Sequence, residues 1–375
     1  MPVKLMPTPE QAVALADTLR ACNTAACEVA ETARQTGCYR NYDLRRHTYH
    51  RIKTDHGLGA QAAQHVVKKV TDAYATLEAN LKAGRYGRPG SKQRRQVETN
   101  PVRFRPDAAQ PYDARMLSWQ HDARTVSVWT VDGRLKNVAY TGSPDQLKAV
   151  TELPVGECDL IHRDGRWFLY VTVEVAEPKV YDPAGFLGVD MGIVNIAVDS
   201  DGTRYAGGQL NGYRRRQLRL RKRLQAKNTK SAKRLLARRR RKEARHAANV
   251  NHTIAKRIVT EAARTGRGIA VEQLTGIRDR VRLRKPQRVT LSSWSFHQLG
   301  GFLTYKARRT GVPLVRVDPR YTSQTCHGCG YRDKRNRPDQ ETFYCRSCGV
   351  VAHADHNAAR NIAQRGVECW GAVNR

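Results

Sequence analysis

The chain has 375 residues, with 67 Lys or Arg against 34 Asp or Glu and a formal net charge of +33. That length holds two or three domains with cores of their own, and a field of that sign attracts polyanions, nucleic acid ahead of a membrane surface. No stretch approaches the roughly 18 to 20 consecutive apolar residues of a spanning helix, and Met1-Pro-Val-Lys-Leu-Met-Pro7 lacks the apolar centre of a secretory signal, so an intracellular protein without a membrane partner is expected.

Thr8-Pro-Glu-Gln11 reads as a helix start, with Thr8 as N-cap, Pro9 at the first helical position and Gln11 closing a capping box. Helical sequence follows to about Gln35, a second helical pattern begins near Asp43, and a third runs from Ala60 to Lys82 with Ala63, Val66, Val67, Val70, Tyr74, Leu77 and Leu81 on one face. Gly84-Arg-Tyr-Gly-Arg-Pro-Gly-Ser-Lys92 is a basic, linker-like break. From Val102 to Val175 the period becomes alternating. Thr125 to Val131, Arg134 to Tyr140 and Trp167 to Val175 read as short strands with Asp132-Gly133 and Asp164-Gly165 turns, which predicts an antiparallel barrel or sheet. After Pro178 and Pro183 come a strand ending at Asp190, a Gly turn and a second strand, then a long basic helical region. The strand Gly268 to Glu272, a helix containing Trp294 to Thr310 and the strand Val312 to Val317 complete a mixed α/β sheet.

Between Arg214 and Arg245 there are 17 Lys or Arg and one acid, Glu243. A helix carrying that density presents cations nearly all round, which suits phosphate-backbone binding better than solvation alone. Arg214, Arg215, Arg216, Arg221, Lys222, Arg223, Arg238, Arg239, Arg240, Arg241 and Lys242 are the candidate nucleic-acid contacts. Trp119, Trp129, Trp167, Trp294, Tyr39, Tyr42 and Tyr86 offer stacking surfaces, but read first as packing residues.

Cys326-His-Gly-Cys329 and Cys345-Arg-Ser-Cys348, fifteen residues apart, have the spacing of a zinc ribbon. Four thiolates complete a tetrahedral Zn²⁺ with no open position, so that site is structural. The other five cysteines, Cys22, Cys27, Cys38, Cys158 and Cys369, lack framework spacing and read as reduced side chains. Asp190 and Glu272 each end an apolar strand, and Asp355 opens a helix beyond the second knuckle. A lone acid at such a place is usually a turn or cap residue. Three of them in one α/β module of a basic protein suggest hard ligands converging on Mg²⁺ or Mn²⁺, the requirement for metal-assisted phosphodiester hydrolysis. No Ser/His/Asp pattern, Walker loop or dinucleotide glycine pattern competes with this reading.

Gly188-Val-Asp190-Met-Gly192, Val271-Glu272-Gln-Leu-Thr-Gly-Ile277, Thr322-Ser-Gln-Thr-Cys326-His-Gly-Cys329-Gly330 and Asp355-His-Asn-Ala-Ala-Arg-Asn-Ile362 together resemble the TnpB proteins of insertion sequences, RNA-guided DNA endonucleases related to the type V CRISPR effectors. The resemblance is specific over residues 181–375 and rests earlier on Pro7-Thr-Pro-Glu-Gln11 and the order of modules. It implies a multidomain α+β protein with a first barrel strand at 1–9, a helical recognition lobe at 10–100 and a wedge-like β-barrel at 101–180. A RuvC/RNase H-like α/β nuclease domain would occupy 181–320 and 351–375, with a zinc-ribbon target-nucleic-acid-binding insertion at 321–350 between them. It also implies Asp190, Glu272 and Asp355 as catalytic metal ligands, one structural Zn²⁺, guide RNA and double-stranded target DNA as partners, a monomer or homodimer, and a cytoplasmic, nucleoid-associated prokaryotic setting. Two rival readings stand beside it: a transposase- or resolvase-like nuclease needing no RNA, and a nucleic-acid-binding regulator whose acids are structural.

Overall fold

The computed structural model describes residues 1–274 and 296–373; Trp294 and residues 275–277 of the second motif segment lie outside the described residues. The chain divides into two units, Met1–Val175 and Ala176–Arg375.

In the first unit, strand β1 (Pro2–Met6) leads into helix α1 (Pro9–Thr36). Thr8 caps α1 as its sequence implies. Its hydroxyl accepts from the Gln11 N–H at 3.3 Å, and the Gln11 side-chain oxygen accepts from the Thr8 N–H at 3.0 Å. The helix stops at Gly37, whose φ of 69° is the left-handed geometry that glycine adopts at least cost. Helices α2 (Asn41–Asp55), α3 (Ala60–Lys82) and α4 (Lys92–Thr99) follow. Of the anticipated α3 stripe, Ala63, Val66, Val67, Val70 and Tyr74 are buried.

Strands β2 (Gln110–Tyr112), β3 (Leu117–Gln120), β4 (Thr125–Thr130), β5 (Gly133–Thr141), β6 (Val155–Arg163) and β7 (Arg166–Val173), with helix α5 (Pro144–Glu152) before β6, complete the unit. They form an antiparallel sheet in the order β2-β6-β7-β1-β5-β4-β3. It is nearly closed, and the Tyr112 hydroxyl of β2 donates to the Trp129 carbonyl of β4 at 3.1 Å. Asp164 (φ 52°) and Gly165 (φ 70°) make the two-residue link from β6 to β7, both left-handed as a type I′ turn requires. Helices and sheet share one core, in which Leu15, Leu19, Val66 and Val70 pack with Val3, Leu5, Val126, Leu160 and Leu169. The two sequence modules are therefore halves of one hydrophobic unit.

The second unit is a layered α/β arrangement. Strands β8 (Phe186–Asp190), β9 (Asn195–Asp199) and β10 (Arg204–Ala206) are antiparallel neighbours. Helices α6 (Gly208–Lys227), α7 (Lys230–Arg239) and α8 (Lys242–Arg264) lead to β11 (Gly268–Glu272), and α9 (Phe296–Thr310) leads to β12 (Leu314–Val317). The sheet order is β10-β9-β8-β11-β12, with β8, β11 and β12 parallel. Beyond it, β13 (Thr342–Tyr344) and β14 (Val351–His353) form a hairpin that feeds α10 (Ala354–Val373).

Both faces of the central strands are covered, which is why β8 and β11 are apolar nearly throughout instead of alternating. Leu187, Val189, Ile269 and Val271 pack with Ile254, Ile258, Leu299 and Leu303 of α8 and α9. Phe186 and Ala270 pack with Ile362 of α10. Gly188 allows the closest approach: a Cβ there would lie 2.0 Å from the Ala359 carbonyl oxygen, so the α10 backbone rests directly on β8.

Candidate active site and metal-binding ribbon

Parallel pairing brings two of the acids together. Val189 stands opposite Val271, so Asp190 and Glu272, the last residues of β8 and β11, emerge side by side at the same end of the sheet. Alternation puts both on the face that α10 covers, and Asp355 lies in the first turn of α10. The β8 contact at Gly188 fixes how closely that turn approaches.

The electrostatics follow from this placement. Burial, then the negative charges of Glu272 and Asp355, push the Asp190 carboxyl up to about 8, against the opposing pull of Arg337 and the Met191 N–H. Burial also holds Glu272 above the ordinary glutamate range, although a Thr322 hydrogen bond and Arg365 pull the other way. Such a cluster is short of positive charge, since like carboxylates out of water cannot all ionise without a cation. Arg337 partly supplies it, its guanidinium donating to Asp355 Oδ1 at 3.2 Å, while Asn195 Nδ2 donates to Asp355 Oδ2 at 3.0 Å. Thr322 Oγ1 donates to Glu272 Oε1 at 2.6 Å.

Arg337, Asn195 and Thr322 contact the candidate acids, and sequence reasoning did not single them out. Asn195 sits five residues after Asp190 at the start of β9, a spacing that a tight β8–β9 turn makes interpretable. Arg337 and Thr322 belong to irregular segments around the cysteine knuckles, where no periodicity reveals direction.

The four cysteines converge. Cys326 and Cys348 sulfurs lie 3.7 Å apart and Cys329 and Cys345 sulfurs 3.6 Å apart, with all four within 4.8 Å of one another. A tetrahedral zinc with sulfurs at about 2.3 Å requires sulfur–sulfur edges of about 3.8 Å, so this cluster could hold a structural metal such as zinc. The knuckles repeat one another: Gly330 N–H donates to the Cys326 carbonyl and Gly349 N–H to the Cys345 carbonyl, with φ of 76° and 74° at the two glycines. The Cys348 N–H donates to the Cys345 sulfur at 3.4 Å, and such backbone bonds draw the Cys345 thiol down while the neighbouring cysteine sulfurs push Cys348 up. Among the described residues this is the one group of three or more such ligands that could hold a metal ion.

The basic region is three helices, broken at Asn228 (φ 49°) and Arg241 (φ 65°). Arg215, Arg216, Arg221, Lys222 and Arg223 on α6 are exposed, as are Arg238, Arg240, Arg241 and Lys242 around the α7–α8 junction. Arg214 and Arg239 are half-buried. Arg214 lies 3.8 Å from Glu243, and Arg239 donates to Gln217 at 2.9 Å, tying α7 to α6. Among the described residues no helix is long and apolar enough to cross a membrane.

Residues 296–362 match the family model described as Cas12f1-like, TNB domain. Over 233 residues the chain is 34% identical to the CRISPR-associated endodeoxyribonuclease Cas12f1 of Sulfoacidibacillus thermotolerans, a match covering 56% of this chain and 54% of the relative. It is 32% identical over 125 residues to the TnpB-like protein MJ0751 of Methanocaldococcus jannaschii, covering 33% of this chain and 44% of that protein. The chain thus spans about half the length of these curated relatives. Its fold is similar to that in the cryo-EM structure of the Cas12f1-sgRNA-target DNA complex, with a TM-score of 0.58 at 15% identity over 94% of this chain and 83% of that one. The motifs around Asp190, Glu272 and Asp355, the cysteine ribbon before the third acid and these likenesses agree in making the chain similar to TnpB and Cas12f1 proteins.

Proposed function

We propose that the protein is an RNA-guided DNA endonuclease encoded by an insertion sequence. It binds a transposon-derived guide RNA and cleaves target DNA beside a short adjacent motif at a RuvC-like site. The observation that carries this reading is the meeting of Asp190 and Glu272 at the ends of adjacent parallel strands with Asp355 on the helix covering them, where burial and then the neighbouring carboxylates raise the Asp190 carboxyl. The sheet order, with its central strand bearing the first acid and the third acid on the covering helix, supports an RNase H-like arrangement.

Asp190, Glu272 and Asp355 offer hard oxygen donors that fit Mg²⁺ or Mn²⁺. Bound there, the ions would lower the pKa of an attacking water and stabilise the leaving 3′ oxygen. The chain's own residues set the stage. Thr322 and Asn195 orient Glu272 and Asp355, and Arg337 offsets negative charge at Asp355. The exposed cations of α6 and the α7–α8 junction suit the phosphate backbone of the guide RNA, which positions nucleic acid without reading its sequence. Residues 321–350 then serve as the target-nucleic-acid-binding insertion, residues 10–100 as the recognition lobe, and the sheet of the first unit, with β1, as the wedge-like barrel.

The test is cleavage and target binding measured in parallel on RNA-loaded protein with Mg²⁺. Asp190→Ala, Glu272→Ala and Asp355→Ala should each abolish cleavage and leave binding within a few-fold of the unaltered protein. Full cutting by any one of them removes that acid from the site. Sequence-specific cutting by RNA-free protein would instead favour the transposase- or resolvase-like reading.

A further inference from the structure

The ribbon and the carboxylate cluster are joined by a chain of hydrogen bonds that runs through the buried side chains of Thr322, Asn357 and Asn361. It begins at Glu272, whose Oε1 accepts from Thr322 Oγ1 at 2.6 Å. The same hydroxyl lies 3.1 Å from the Pro319 carbonyl, but it has one proton, and the nearer carboxylate is the stronger acceptor. Thr322 is itself held from behind. Asn361 Nδ2 donates to the Thr322 carbonyl at 2.8 Å and to the Thr325 carbonyl at 2.8 Å. One turn earlier on α10, Asn357 Nδ2 donates to the Thr325 carbonyl at 2.8 Å, and its Oδ1 accepts from the His327 N–H at 3.0 Å. His327 lies between Cys326 and Cys329, inside the first knuckle.

Thr322, Asn357 and Asn361 are all buried, so each unmet bond would carry a desolvation cost. Tyr321, immediately before Thr322, has φ of 64°, a left-handed conformation unusual for a bulky residue. A backbone in that region persists when its surroundings over-determine it, and the two asparagines are such surroundings for the segment that follows.

We propose that Thr322 is the positioning residue of Glu272, and that the metal-loaded knuckle holds Thr322 in place through Asn357 and Asn361. The ribbon then has a second task besides any contact with nucleic acid: it sets the direction of a nuclease carboxylate. The two asparagines in the middle of the path belong to helix α10, so the turn bearing Asp355 and the hydroxyl aiming Glu272 are located by one element. This inference rests on the nuclease reading of the three acids.

The experiment compares Thr322→Ser, Thr322→Ala, Thr322→Val and Asn361→Asp in RNA-loaded protein, with Asp190→Ala as the inactive reference. Single-turnover cleavage is measured across a Mg²⁺ titration, together with target binding, zinc content and melting temperature. Serine keeps the hydroxyl and should cleave within about 3-fold of the unaltered protein. Valine and alanine should slow cleavage about 10- to 100-fold at limiting Mg²⁺, the scale of a lost charge-assisted hydrogen bond, with a raised Mg²⁺ requirement and unchanged target binding. Asn361→Asp, which cannot donate to the two carbonyls when ionised, should behave likewise with Thr322 intact. Alanine carries the test if valine, which trades the hydroxyl for a methyl, disturbs folding. Cleavage by the alanine variant at the unaltered rate and Mg²⁺ dependence overturns the positioning role, as does a serine variant no better than alanine. Undiminished cutting by Asp190→Ala overturns the nuclease assignment of that acid and leaves the hydrogen-bond comparison to be read separately.

Discussion

Replacing Asp190 by asparagine should make the second unit more stable above neutral pH when no divalent ion fills the carboxylate cluster. The effect is one of proton linkage. The Asp190 carboxyl is raised from its ordinary 3.8 to about 8 in the folded protein, so the folded state holds a proton that the unfolded state releases. Stability from this source is complete below about pH 4 and is lost as the pH rises through 8. The ceiling is about 6 kcal/mol, at about 1.4 kcal/mol per pH unit. Water entry and relaxation around a buried charge reduce it, and about 2 kcal/mol is the expected gain of Asp190→Asn over the unaltered protein at pH 8. Burial raises Glu272 as well, so its contribution runs in the same direction and remains in the variant.

The assay is hydrogen exchange at the β8 and β11 amides, corrected for intrinsic rates, because these strands report the second unit by itself. Buffers should be magnesium-free but contain no chelator, so that the ribbon keeps its metal. Unaltered protein should lose protection between about pH 5 and 8, the Asp190→Asn variant should lose much less, and millimolar Mg²⁺ should restore the former more than the latter. The same pH profile in both proteins, or stability that rises toward pH 8 in the unaltered one, would refute the reasoning.

Further outcomes follow from the ribbon, the sheet and the basic helices. One zinc per chain is expected by elemental analysis, and a Cys345→Ser, Cys348→Ser double variant that retains stoichiometric zinc would disprove that ligand set. Gly188→Ala should destabilise the second unit by about 3 kcal/mol or more, because the new methyl meets the Ala359 carbonyl and the Ala363 backbone, which cannot rotate away; an unchanged melting temperature counts against the packing described. Neutralising Arg238 to Lys242 should lower RNA retention and flatten the salt dependence of binding without altering which DNA sequence is cut, as gel shifts across a salt series and sequenced cleavage ends will reveal.

How much of this was legible depended on whether a residue's role was local. The Thr8 capping box, the α3 stripe and the Asp164-Gly165 turn are local grammars, and the structure follows them except at Leu77 and Leu81, which are only half-buried. The same grammar was present but unread at Ser143-Pro144-Asp145-Gln146, where the Ser143 hydroxyl accepts from the Gln146 N–H and Gln146 returns the bond, starting α5 inside an otherwise strand-rich segment. The placement of the three acids at two strand ends and a helix start was legible because apolar strands and a helix start mark those positions. Their neighbours were not, since Arg337 and Thr322 reach the cluster through irregular backbone whose course depends on the ribbon. Cation density between Arg214 and Arg245 likewise gave no sign that Arg239 would be spent on Gln217.

The third acid comes late in synthesis. At translation rates of about 5 to 20 residues per second, roughly 10 to 30 s separate the emergence of Asp190 from that of Asp355. During that interval β8 has only Gly188 where α10 will lie, and Phe186 and Ala270 await Ile362. A nascent chain on the ribosome can therefore complete its first unit, with its own core, while the carboxylate cluster is still missing the element that closes it.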